Sequence, residues 1–194
     1  EIEYAKLETN DGKNVAKDGD VVVFLFEAKE EVTASHIQFL KLDQDGEHEV
    51  IHDTSAVEVD DTSDKKEYKA EYTVDTNHEY NGPLSVKYTL TDELGNVHGA
   101  HEVLEETVTI DNTALQLIEL NHIDTYTNIP VFTIVTNKLV TLEVEHESNP
   151  IFTESIMSKS HIIDLSTHLS EGQYDNLEVK VIDHVGNVLT ETLN

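Results

Sequence analysis

The sequence predicts an all-β protein made of two tandem antiparallel β-sandwiches joined by a short linker. One observation is an Asp-x-x-Gly-Asn motif that occurs twice, as Asp92-Glu-Leu-Gly95-Asn96 and as Asp183-His-Val-Gly186-Asn187, with the two aspartates 91 positions apart. That spacing suits a sandwich repeat of roughly 100 residues. The other observation is the polar turn at 111–114, where one alternating pattern ends and a second begins at Leu115. We therefore predict domains at 1–111 and 112–194.

The first half contains seven strand-like segments separated by turn signals. Segment 21–26 is the most apolar, and its β-branched and aromatic content favours a buried strand. In segment 84–91, Leu84, Val86, Tyr88 and Leu90 alternate with polar residues, which is typical of a half-buried antiparallel strand. The predicted strands are 2–9, 21–26, 37–42, 47–51, 67–74, 84–91 and 102–110.

The second half repeats this scheme in fewer residues. A turn at Glu171-Gly172 leads into Tyr174, a placement that suits a tyrosine corner before the penultimate strand. No segment sustains a period of 3.6 residues, so we expect no helix longer than a turn or two. The predicted strands are 115–120, 130–135, 140–144, 161–165, 177–182 and 188–193.

Composition excludes several classes of function. Forty acidic residues face twelve lysines, for a formal net charge of −28, so the surface repels nucleic acid and anionic lipid. Without cysteine there is no disulfide and no thiolate chemistry. No apolar run reaches the roughly 20 residues that span a membrane. The chain begins without a signal peptide, so we expect it to be a piece of a longer protein.

Several sequence motifs of this chain, taken together, resemble those of the bacterial immunoglobulin-like (Ig-like) repeats of large surface and biofilm-associated adhesins. Gly19-Asp20 before the apolar strand, the two Asp-x-x-Gly-Asn turns, and the linker Val108-Thr-Ile-Asp111-Asn112-Thr-Ala114 all match that pattern. The usual linker proline is Leu115 here, which removes a rigidifying element. The resemblance implies two Ig-like sandwiches that act as a non-enzymatic stalk outside the cell. It also implies Ca²⁺ near the domain junction.

Sandwich topology predicts which acidic segments meet at that junction. The linker and the fifth-to-sixth strand turn of the first domain share one pole, and the sixth-to-seventh strand turn of the second domain would face it. Ca²⁺ takes six to eight oxygen ligands, and these segments supply carboxylates and amides. The candidate metal ligands are Asp111, Asn112, Asp183, Asp75 and Asn77, with Asp92 as the equivalent of Asp183 at the far pole. For Asp92 and Asp183 the alternative is a metal-free cap of their own Gly-Asn turns.

Other candidate sites are weaker. The acidic segments 43–47 and 60–64 are typical of solvated loops, and 43–47 lacks the spacing of an EF-hand. His98 and His101 would point to opposite faces of a strand, which fits a zinc site poorly. No catalytic triad, nucleophile elbow or phosphate loop is found.

The leading functional hypothesis is a structural spacer of a secreted or cell-surface adhesin, with neighbouring Ig-like repeats of the same chain as its partners. A second hypothesis is a tip module that binds a host or surface ligand or associates with itself, with the loop at 60–66 as its candidate surface. A third is an accessory domain of a secreted hydrolase.

Overall fold

The computed structural model of the protein describes residues 2–42, 47–60, 66–75, 80–100, 108–123, 131–169 and 177–193. These residues form strands and connections and include no helix. A helix long and apolar enough to span a membrane is likewise absent from the described ranges. The chain divides into two compact units, Glu1–Thr113 (unit 1) and Ala114–Asn194 (unit 2). The boundary expected from the sequence lies two residues earlier, after Asp111.

The described part of unit 1 contains ten strands in two sheets. The first sheet has the order β1-β3-β7-β6, and the second has the order β2-β10-β8-β4-β5 with β9 also paired to β8. All pairs for which a register is defined are antiparallel except β2 with β10. The strands are β1 Ile2–Thr9, β2 Val15–Ala16, β3 Val21–Ala28, β4 Val32–Leu42, β5 His48–Thr54, β6 Val57–Asp60, β7 Lys66–Thr73, β8 Gly82–Asp92, β9 Val97–Ala100 and β10 Val108–Ile110.

The two sheets of unit 1 share one apolar core, as in a β-sandwich. Phe24 of the first sheet stacks on Tyr88 of the second, with ring centroids 5.7 Å apart. The rings of Phe39 and Tyr72, also from opposite sheets, are tilted against each other with centroids 5.5 Å apart. The apolar residues that alternate along strand β8 in the sequence face the core, because Leu84, Val86, Tyr88 and Leu90 are all buried. Asp92 ends this inward series and is only 8% exposed.

The described residues of unit 2 form one five-stranded sheet of order β11-β12-β14-β15, with β13 also paired to β12. The first half of β12 pairs with β11 and with the end of β13, and its second half pairs with β14 and with the start of β13. Both halves send buried side chains into the same apolar cluster, so the sheet curls around one core. The strands are β11 Leu117–Ile123, β12 Val131–His146, β13 Asn149–Asp164, β14 Leu177–Asp183 and β15 Val188–Leu193.

Two expectations for unit 2 were wrong. The predicted strands 130–135 and 140–144 are one strand, because 136–139 keep the alternation, with Thr136 and Lys138 buried. Residues 149–160, which were not among the predicted strands, form most of β13. Glu147 and Ser148 connect β12 to β13 with φ values of 49° and 65°. Such a two-residue turn usually contains Asn-Gly or Asp-Gly, and neither signal is present here.

Candidate functional site

The repeated Asp-x-x-Gly-Asn motif forms the same turn in both units. In unit 1, Oδ1 of Asp92 accepts hydrogen bonds from the backbone N–H groups of Leu94 (2.9 Å) and Asn96 (2.8 Å). Its Oδ2 accepts a bond from Nδ2 of Asn96 at 2.9 Å. The carboxylate of Asp92 therefore caps its own Gly-Asn turn.

Unit 2 repeats these contacts atom for atom. Oδ1 of Asp183 accepts from the N–H groups of Val185 (3.1 Å) and Asn187 (2.8 Å), and Oδ2 accepts from Nδ2 of Asn187 (2.9 Å). The glycine inside each turn has φ near +80°, a conformation that favours glycine. The turns are equivalent, although their surroundings differ.

A buried lysine pairs with the aspartate of unit 2. Nζ of Lys138 donates to Oδ2 of Asp183 at 3.2 Å, and the two side chains are 9% and 0% exposed. Burial acts to raise the pKa of Asp183, but the hydrogen bonds from Asn187 and the Lys138 ammonium outweigh it, so the pKa lies below its ordinary value. Asp183 is therefore a carboxylate at neutral pH, neutralised from within its own unit.

The strand registers identify the residue of unit 1 that corresponds to Lys138. Asp92 lies opposite Val32, and Asp183 lies opposite Val140. Lys138 stands two positions before Val140, and Glu30 stands two positions before Val32. Unit 1 thus carries an acid where unit 2 carries an ammonium group.

A second substitution accompanies the first. Leu90 pairs with His98 in unit 1, whereas the corresponding Val181 pairs with Leu189 in unit 2. Nε2 of His98 lies 3.6 Å from Oδ2 of Asp92. Glu30, Asp92 and His98 line one pocket, and each offers a ligand atom within 4.8 Å of the other two. The hydrogen bond from the Asn96 side chain, helped by the backbone bonds, keeps the pKa of Asp92 below its ordinary value.

The residues expected at the junction are placed as follows within unit 1. The N–H of Asp18 donates to Oδ1 of Asn112 at 2.7 Å, and the N–H of Asn112 donates to Oδ1 of Asn81 at 2.5 Å. The same turn is bound to Val74 through the N–H of Gly19 (2.9 Å), which brings the adjacent, exposed Asp75 to this end. Oδ1 of Asp111 accepts the N–H of Thr113 at 3.1 Å.

Three of the predicted ligands, Asp111, Asn112 and Asp75, therefore share one end of unit 1. Asp92 lies at the opposite end of β8, since Gly82 pairs with Ile110 at its beginning. Asp183 belongs to unit 2. The predicted ligand Asn77 lies outside the described residues, as do Tyr174, His101 and most of the acidic loops at 43–47 and 60–64.

The contacts of Asp183 fit a turn cap better than a Ca²⁺ ligand. Each of its two oxygens already accepts two hydrogen bonds, one of them from an ammonium group, and the side chain is fully enclosed. Asp111, Asn112 and Asp75 are oxygen donors of the kind that Ca²⁺ takes, and each is partly or fully exposed.

Sequence reasoning did not find the roles of Lys138, Glu30 and His98. Glu30 is 62 positions from Asp92, and only the pairing of β4 with β8 brings them together. One pattern in the sequence did point to Lys138. It falls on the inward-facing positions of the alternating strand β12, which is an unusual place for a charged residue.

No family model matches the sequence, and no curated protein matches it. Among solved structures, dimeric latent PorU from Porphyromonas gingivalis is similar over 96% of this chain and 23% of that chain, with 9% sequence identity and a TM-score of 0.33.

Proposed function

We propose that the chain is a pair of Ig-like spacer domains in the stalk of a bacterial cell-surface adhesin, without enzymatic activity. The observation that carries the proposal is the repetition of one capped Asp-x-x-Gly-Asn turn, at the end of corresponding strands, in two consecutive all-β units. Tandem copies of one module suit a role in which length and stiffness matter. The strand orders of unit 1 support the Ig-like assignment, because they correspond to A-B-E-D and to a G-F-C sheet.

The charge of the chain suits the same role. A net charge of −28 keeps neighbouring molecules apart and soluble at a crowded surface. The stalk would lie outside the cell and connect to further repeats of its own chain. It would project an adhesive tip without contacting the ligand itself.

Replacement in the parent protein tests this role. On the bacterial surface, this segment is exchanged for two unrelated Ig-like domains of similar length, and adhesion is measured. A spacer predicts adhesion close to that of the native protein after the exchange and loss of adhesion after simple deletion. Loss after both changes would show that this segment binds a ligand or a second copy, and would overturn the proposal.

Calcium belongs to the proposal as the element that stiffens the stalk. The candidate ligands in unit 1 are Asp111, Asn112 and Asp75, whose oxygens lie at the end from which the linker leaves. Asp183 contributes as a turn cap instead, because its oxygens are already saturated.

A further inference from the structure

The two units differ at the place where a cation neutralises the capping aspartate. In unit 2, Oδ2 of Asp183 contacts the ammonium of Lys138 at 3.2 Å. The corresponding oxygen of unit 1, Oδ2 of Asp92, carries the same bond from its asparagine and faces the pocket. Unit 2 therefore serves as an internal comparison, in which the same oxygen of the same turn binds a positive charge.

In unit 1 the residue that corresponds to Lys138 is not a lysine. The corresponding position is Glu30, which adds a second carboxylate beside a buried one, and like charges so close are unfavourable. The imidazole of His98 faces this carboxylate: its Nε2 lies 3.6 Å from Oδ2 of Asp92, and the side chain is half exposed. The pocket is lined by the carboxylates of Glu30, Glu31 and Asp92 and by the imidazole of His98, and Glu31 is paired with Lys66 at 3.1 Å. The other three residues, Glu30, Asp92 and His98, stand where the second repeat has an ammonium group.

We propose that unit 1 binds a divalent transition-metal ion, such as Zn²⁺, through Glu30, Asp92 and His98. The ion would occupy the place that the Lys138 ammonium has in unit 2. This site lies within unit 1, and it depends neither on the stalk role nor on Ca²⁺ at the linker.

The ligand set decides the type of metal. Ca²⁺ and Mg²⁺ take oxygen ligands, whereas an imidazole nitrogen with two carboxylates suits zinc and its neighbours. Bonds of about 2.0–2.2 Å around a tetrahedral ion place ligand atoms about 3.3 Å apart. The separation of 3.6 Å between His98 Nε2 and Asp92 Oδ2 is close to that spacing. The Glu30 side chain is exposed, so it can change rotamer to bring its carboxylate to the same distance from the other two ligand atoms. Water completes the coordination.

The test is a titration of the intact, EDTA-treated chain with Zn²⁺ by calorimetry, in excess Mg²⁺ to occupy non-specific acidic sites. We expect one equivalent to bind to the native chain, and its affinity to fall at least tenfold in His98→Asn. His36→Asn is the matched control, since His36 is also an exposed histidine beside a carboxylate, at 2.8 Å from Asp53. Its affinity for Zn²⁺ should be unchanged.

Glu30→Lys gives a second, independent result. It recreates the lysine–aspartate pair of unit 2, so it should abolish the Zn²⁺ equivalent and raise the melting temperature of metal-free unit 1. Both altered side chains are exposed, and circular dichroism verifies that each variant is folded.

Equal Zn²⁺ affinity in all variants would overturn the proposal and indicate adventitious binding by other histidines. No bound equivalent, with stabilisation of unit 1 only on acidification, would also overturn it and make protonated His98 the cation. Asp111→Ala should leave the Zn²⁺ equivalent intact, which separates this result from the fate of the calcium proposal.

Discussion

At the scale of single residues, the Lys138–Asp183 pair is the clearest determinant of stability in unit 2. A buried ion pair costs much desolvation, but removing one partner leaves the other charge without compensation. We expect Lys138→Ala to lower the free energy of unfolding of unit 2 by about 3 kcal/mol. Urea denaturation followed by NMR signals of unit 2 measures this change.

Lys180→Ala is the control for that prediction, because Lys180 also lies in unit 2. Lys180 pairs with Glu145, but both side chains are partly exposed, and such pairs contribute little. A loss in Lys138→Ala no larger than in Lys180→Ala would contradict a stabilising role for the buried pair.

Acid sensitivity is a second property of single residues. The pKa values of Asp92 and Asp183 in the folded chain lie below the ordinary value of 3.8. Their contribution to stability is therefore complete above that value, and it is lost as the pH falls from 3.8 through the folded pKa. We expect the free energy of unfolding to decrease over this range, and less steeply in Asp183→Asn. An identical acid slope in that variant would contradict the assignment.

At the scale of elements, the turn between β12 and β13 contains removable strain. Glu147 and Ser148 both have positive φ, which costs a non-glycine residue about 1–2 kcal/mol. Since Ser148 is exposed, we expect Ser148→Gly to stabilise unit 2 by about 1 kcal/mol in urea denaturation. Ser166→Gly, at an exposed turn without positive φ, should bring no gain. A gain in both variants would show that the effect is not due to this φ.

The same turn shows what the sequence could and could not predict. Strand β8 was predictable, because its alternation identifies the apolar side chains that are buried, although Ser85 on the polar face is buried as well. Strand β13 was not, because its turn has neither glycine nor asparagine at the strained positions. The cluster of Glu30, Asp92 and His98 depends on the pairing of β4, β8 and β9, which local pattern does not encode.

At the scale of the whole molecule, the net charge of −28 must be separated from specific calcium binding. Any salt screens self-repulsion, so a rise in melting temperature with CaCl₂ alone proves nothing. At matched ionic strength, we expect the melting temperature to be higher in Ca²⁺ than in EDTA, and the rise in Mg²⁺ to be smaller than the rise in Ca²⁺. An ion present at 100 times its Kd contributes about 2.7 kcal/mol.

Asp111→Ala should remove the calcium-specific part of that rise, whereas Asp53→Ala, an acid on β5, should keep it. Equal effects of Ca²⁺ and Mg²⁺ would leave Asp111 as a turn residue that caps Thr113.

The continuous course of β12 and β13 has a consequence for chain cleavage. Each strand pairs in both halves of the curled sheet, and residues 147–148 are their direct connection. A chain cut there yields an amino-terminal piece with β12 and a carboxy-terminal piece with β13, β14 and β15. The amino-terminal piece keeps β11 beside β12 but lacks β13 and β14. The carboxy-terminal piece lacks β12, with which β13 and β14 both pair, so each piece regains these pairings only by reassociating with the other. Unit 2 is thus suited to division at this point into two complementing fragments.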